Sequence, residues 1–170
     1  MHLDVLMESA PPLDPRTALF VTLGQDGWRP ASRDDLVRQA SDWPMTSATP
    51  EGVADLLKTS RDIYCLAVYT YELFAVASVW SLLAIEAGLR IHYDDDRATL
   101  ETLIDRAKSD SLLTEHWAQS LHAGRRLRNS LLHPRQQPVW SLGMAAGTIG
   151  ATHLEVAALF PDVAQRRPLP

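Results

Sequence analysis

Lysine is nearly missing from this 170-residue chain: fourteen of its sixteen basic residues are arginine, and only Lys58 and Lys108 are not. Arginine is the better bidentate ligand for phosphate, so the bias matters wherever arginines cluster. Cysteine is represented by Cys65 alone, which excludes an intrachain disulfide and a cysteine zinc cluster and suits a reducing compartment. A charge-free apolar stretch runs from Leu73 to Ile85, between Glu72 and Glu86. That is short of the roughly 18 residues a bilayer span needs, so a buried helix is expected there rather than a membrane segment. The first residues, Met-His-Leu-Asp-Val-Leu-Met-Glu, have no basic stretch leading into an unbroken apolar run. A secretion signal is therefore not expected, and the expected location is cytoplasmic.

The most informative absence is of carboxylates, since no Asp or Glu occurs between Glu115 and Glu155. The chain has a formal charge of -5, yet this segment holds Arg125, Arg126, Arg128 and Arg135 unopposed. A local positive patch on an acidic protein often faces phosphate. Four of its arginines and two of its histidines fall within His122 to Arg135.

What is present reads as helix. Residues 1 to 31 are interrupted by Pro11, Pro12, Pro15 and Pro30, with Thr17 to Leu23 and Gly24-Gln-Asp-Gly27 suggesting a short strand and turn. Ser32 ahead of Arg33-Asp34-Asp35 predicts an N-cap and a helix to about Ser41. Thr49-Pro50-Glu51 predicts a second, with proline at its first position and an end near Lys58. From Ser60, apolar residues recur at steps of three and four, which predicts one long central helix to about Gly88. Within it, Glu86 and Arg90 stand four apart in the favoured order for an ion pair. Asp94-Asp95-Asp96 is expected to cap a helix over 98–108 rather than to hold a cation, because a hard cation wants ligands converging from several positions. A further helix is expected from Thr114, burying Trp117, Leu121, Leu127, Leu131 and Leu132, and stopping at His133 ahead of Pro134. The last should cover 138–160, where Gly143, Gly147 and Gly150 suggest close helix approach. The expected fold is an all-α bundle of four main helices, with 1–50 as an arm and short helix packed on the core, 51–165 as the bundle and 166–170 as a tail.

At 100° per residue, Arg125, Asn129 and His133 lie along one helical stripe with Arg128 beside it. An imidazole that titrates near neutrality, guanidinium forks and a neutral amide form an inventory for phosphate chemistry without a metal. His92, His116, His122 and His153 lack neighbours at metal-ligand spacing, and no cofactor is expected.

Arg128-Asn129-Ser130-Leu131-Leu132-His133 resembles the Arg-x4-His motif, with a polar residue directly after the arginine, of the HEPN (higher eukaryotes and prokaryotes nucleotide-binding) superfamily. The order of elements over residues 60 to 160 is similar too: a long apolar helix, Ala98-Thr-Leu-Glu-Thr-Leu-Ile-Asp-Arg-Ala, Leu112-Leu113, then the helix bearing the motif. The resemblance implies a HEPN-like bundle that dimerises with the motif at or near the interface. In many members it also implies a metal-independent endoribonuclease. His133 would then act on the RNA 2′-hydroxyl, Arg128 would stabilise charge on the scissile phosphate and Asn129 would position either, leaving a 2′,3′-cyclic phosphate. Arg125, Arg126 and Arg135 correspond to no catalytic residue of the family and are expected, from their charge alone, to guide RNA phosphates. Stress response and antiviral defence are the settings to expect, with a regulatory protein partner and no membrane. In one toxin branch, of the kind found in toxin–antitoxin pairs, a tyrosine stands where this chain has Arg135, which argues against control by modification at that place. The other readings are a non-catalytic HEPN-like module binding a partner protein or nucleotide, and a helical scaffold subunit.

Overall fold

The computed structural model describes residues 11–131 and 141–162. It is mainly helical. A 3-10 turn (Pro15–Leu19) leads into a hairpin of β1 (Val21–Gly24) and β2 (Gly27–Pro30). Six α-helices follow: α1 (Arg33–Ser41), α2 (Glu51–Leu66), α3 (Leu73–Tyr93), α4 (Leu100–Ser109), α5 (Glu115–Leu131) and α6 (Leu142–Leu159).

Locally encoded ends form as their residues dictate. Ser32 and Asp35 make a reciprocal capping box at the start of α1, the Ser32 hydroxyl accepting from the Asp35 amide and the Asp35 carboxylate from the Ser32 amide. Ser141 caps α6 through the Met144 amide at 3.1 Å. Thr99, not the aspartate run, caps α4 through the Thr102 amide at 3.2 Å. Within the run, Asp94 closes α3 in the left-handed region at φ 51°, and Asp95 accepts from the amides of Arg97 and Ala98. Pro50 occupies the capping position of α2 rather than its first turn.

The largest departure from sequence expectation lies from Ser60 onward, where periodicity predicts one helix. The chain instead forms α2 and α3, broken at 67–72. The cause is distant in sequence. The Asp14 amide and the Thr17 hydroxyl both donate to the Val68 carbonyl, at 2.9 and 3.0 Å, and the Asp14 carboxylate accepts the Tyr71 amide at 3.0 Å. Arg16 then clamps Asp14 and Glu72 together, at 2.7 and 2.5 Å. The arm thus takes up backbone groups that the broken helix leaves unpaired. The Arg16 guanidinium and the Tyr71 amide hold the Asp14 carboxyl well below the usual carboxylate range. Ser60, expected to begin a helix, is buried inside α2 and donates to the Ala77 carbonyl at 2.8 Å, tying α2 to α3.

α3 is the central element. Its Leu82, Ala84, Ile85 and Leu89 pack with residues of α2, α4, α5 and α6 in one core cluster. Its Phe74 and Ala77 join Leu36, Tyr64 and Ile149 in a second, which also takes in Phe20 and Ala31 from the arm. By length and composition α3 and α6 are each apolar enough to cross a membrane, at mean hydropathy 1.5 and 1.2. The charge-free run of Leu73 to Ile85 therefore understates α3, which extends through Glu86 and Arg90, paired with each other at 2.8 Å. α3, α5 and α6 run parallel: Leu82 lies against Gly124 and Glu86 against Arg128, while Ser81 lies against Thr152 and Gly88 against Phe160.

Of the three glycines expected to mark close helix approach, only Gly150 does so, and its neighbour is an indole. A Cβ there would lie 2.9 Å from Trp43 Nε1, whereas one at Gly147 would meet nothing within 4 Å, and one at Gly143 only the Ser141 hydroxyl at 3.9 Å. Trp43 packs against Tyr64 and His153, at 5.1 and 5.6 Å between ring centroids, and so has little room to yield. Gly150→Ala is therefore expected to destabilise by about 1 kcal/mol, the overpacking cost exceeding alanine's better helix propensity. Gly147→Ala, free of any clash, is expected to stabilise by about 0.5–1 kcal/mol. Urea denaturation of the two variants checks the opposite signs.

Candidate functional site

The last two turns of α5 carry Arg125, Arg126, Arg128 and Asn129, and three of its basic residues are turned onto neighbouring helices. His122 Nε2 lies 3.1 Å from the Asp105 carboxylate, and Arg125 donates to Glu101 at 3.0 Å, so two successive turns of α5 are registered against α4. Arg128 donates from Nη1 to Glu86 Oε2 of α3 at 2.9 Å. The other oxygen of Glu86 accepts from Arg90 Nη2 at 2.8 Å. Arg90 also reaches the Ala98 carbonyl at 3.3 Å.

Glu86 is thus a half-buried carboxylate shared by two guanidiniums, its side chain 14% exposed against 26% for Arg128. Two positive charges against one negative leave this cluster net positive, and the carboxylate fixes the direction of the Arg128 fork. A charge-assisted bond of this kind orients a guanidinium without neutralising the pair of them. Arg126 and Asn129 are exposed. Arg128 and Asn129, adjacent in sequence, therefore separate in role: the first faces α3, the second solvent. His133 and Arg135 lie outside the described residues, as does the inward packing expected of Leu127, Leu131 and Leu132.

The absence of acids over residues 116–154 does not carry over into space, because α3 and α4 supply Glu86, Glu101 and Asp105 to the same face. Glu86 is the site residue that sequence reasoning missed. Its pairing with Arg90 was legible from the four-residue spacing, but its second partner, 42 positions away, was not.

Two further groups stand apart from this cluster. His153 is fully buried, and its Nδ1 lies 2.9 Å from the Pro44 carbonyl. A carbonyl can only accept, so Nδ1 carries the proton and Nε2 is left buried without a partner among the described residues. Burial, with the nearby Arg61 guanidinium adding to it, pushes the His153 pKa down to about 4. Glu155 is 7% exposed and lines a groove of about 470 Å³ between α5 and α6, and burial pushes its carboxyl pKa up. Among the described residues, no three His, Cys, Asp or Glu side chains come together as a metal-ion site would require.

No family model, curated protein or solved structure matches the chain.

Proposed function

We propose that the chain is a HEPN-like, metal-independent endoribonuclease that acts in the cytoplasm as a homodimer, with its motifs at or near the interface. It cleaves RNA through attack by the substrate's own 2′-hydroxyl and leaves a 2′,3′-cyclic phosphate. The observation that carries this reading is the Arg128 guanidinium held by Glu86, five positions before His133, beside a second arginine that keeps the cluster positive. Arg128 would stabilise charge developing on the phosphate, and His133 would act as the base. Exposed Asn129 would orient one of them, and Arg126 and Arg135 would guide the strand, whereas Arg125, expected in the same role, is tied to Glu101 of α4. A positioned base and preorganised cations each contribute about 100-fold or more in rate, which makes a metal unnecessary. Defence against foreign nucleic acid or a stress response, under a regulatory protein, is the setting that suits such an activity.

The same Arg128–Glu86 bond favours a second reading, a non-catalytic HEPN-like module whose exposed Arg126 and Asn129 dock a partner protein or nucleotide. Incubation of the purified protein with labelled single-stranded RNA in EDTA separates the two. The nuclease reading requires cleavage by the native chain and its loss in both Arg128→Ala and His133→Ala. An inert native protein would support the docking module.

A further inference from the structure

The groove between α5 and α6 has a construction that the proposed nuclease does not use. Trp117 and Leu121 of α5 form one wall, Met144 and Gly147 of α6 the other, and Leu82 of α3 is among the lining residues, with Glu155 the only charged one among the described residues. On α6, Met144, Gly147, Thr148, Ala151 and Glu155 fall on one helical stripe, which is why one face of that helix lines the groove. Its volume of about 470 Å³ is that of a small-molecule site.

Two features of the groove suit an occupant. Glu155 is more than nine-tenths buried, and no described residue makes a hydrogen bond to its carboxylate. Its oxygens are not among the buried polar atoms without a partner, so the carboxylate opens into the groove, where a cation can reach it and form a charge-assisted pair. Gly147 sits in mid-helix, where glycine is the weakest helix former after proline, yet no atom approaches the space its missing side chain leaves. Gly124 and Gly150, by contrast, have Leu82 and Trp43 against them. The room at Gly147 belongs to the groove.

We propose that this groove binds a small apolar amine, its hydrocarbon body lying on Leu82, Trp117, Leu121 and Met144 and its ammonium paired with Glu155. The single charge among the described lining residues is negative, which disfavours anions. Sugars are disfavoured because two of the three hydroxyls at the wall already donate within the fold, Ser120 to the His116 carbonyl and Thr152 to the Thr148 carbonyl, which leaves Thr148 alone with a free hydroxyl among the described lining residues. The site is independent of the Arg128 cluster, and an inactive nuclease would leave it untouched.

Calorimetric titration with hexylamine, hexanol and hexanoate tests the assignment on the full chain. Hexylamine is expected to bind about tenfold or more tighter than hexanol, the margin of one charge-assisted contact, and hexanoate not to bind. Glu155→Gln, nearly isosteric, should remove that margin and leave hexanol binding unchanged. Gly147→Leu should fill the groove and abolish both. In ¹⁵N spectra, hexylamine should shift the Trp117 indole resonance, assigned by its loss in Trp117→Phe. Equal binding of hexylamine and hexanol would overturn the proposal, as would an amine affinity indifferent to Glu155→Gln. Absence of hexylamine binding, with self-association of the native chain lost in Gly147→Leu, would overturn it in favour of a second copy as occupant.

Discussion

Arg128→Ala is expected to lower the rate of RNA cleavage by about 100-fold or more, as removal of a preorganised charge-stabilising group does, while leaving the protein folded. The second half of that expectation comes from the structure and gives the first its meaning. Glu86 loses one of two partners when Arg128 is truncated, and Arg90 still holds its other oxygen at 2.8 Å. No carboxylate is orphaned, so the cost in stability should be about 1 kcal/mol, the scale of a single hydrogen bond with partial solvent access. Arg128→Lys keeps the charge but loses the planar fork, and should recover little of the rate. Glu86→Gln is the converse probe. It retains an acceptor for one guanidinium but leaves two cations half-buried without a counter-charge, so stability should fall further than in Arg128→Ala while cleavage persists within about tenfold. A structural Arg128 gives a different pattern, in which no variant and no wild-type preparation cleaves and only the denaturation midpoints move. Comparing the order of the midpoints with the order of the rates therefore separates a reacting group from a strut.

How far such a site is legible in sequence depends on where its partners lie. The Ser32 cap of α1, the Glu86–Arg90 pair and the mainly helical character are all determined within four residues, and each was readable, although the return bond from Asp35 that completes the capping box was not read. The break between α2 and α3 was not, because Asp14, Arg16 and Thr17 impose it from more than fifty positions away on a run whose periodicity alone reads as continuous helix. The same distinction governs the arginines of α5. A linear stretch without carboxylates implies an unopposed patch only if no other helix brings acids to it, and α3 and α4 bring three. Glu155 marks the end of the acid-free segment in sequence, where nothing suggests that it would be buried. Periodicity identifies which face of α6 is apolar without saying that the opposite wall, α5, would leave a groove there.

Stability should fall by about 2 kcal/mol more between pH 7 and pH 5 in the native chain than in His153→Asn. The imidazole titrates near pH 6.5 in the unfolded chain and near 4 in the fold. Between those values the unfolded state binds the proton and the native state does not, so acidification draws the equilibrium toward unfolding. The contribution is fully present above about pH 7 and is lost progressively as pH falls toward 4. The cause is specific: a second proton would have to go on Nε2, which has no acceptor within reach among the described residues, while Arg61 lies 3.4 Å from Nδ1. The asparagine side chain of the variant can still donate to the Pro44 carbonyl, which keeps the joint between α1 and α2 anchored, but it has nothing to titrate. At pH 5 the paired carboxylates Asp14 and Asp35, whose pKa values are lowered by Arg16 and Arg29, remain ionised and do not contribute to the difference. Glu155 acts in the opposite sense, because a carboxyl raised by burial takes up its proton in the native state first and stabilises the fold as pH falls. It does so equally in both proteins and cancels in the comparison. Unfolding free energies of the two chains should therefore converge on acidification, from a native advantage at pH 7. Parallel curves would mean that the ring opens to water before it protonates, which the packing of Trp43 against it at 5.6 Å argues against.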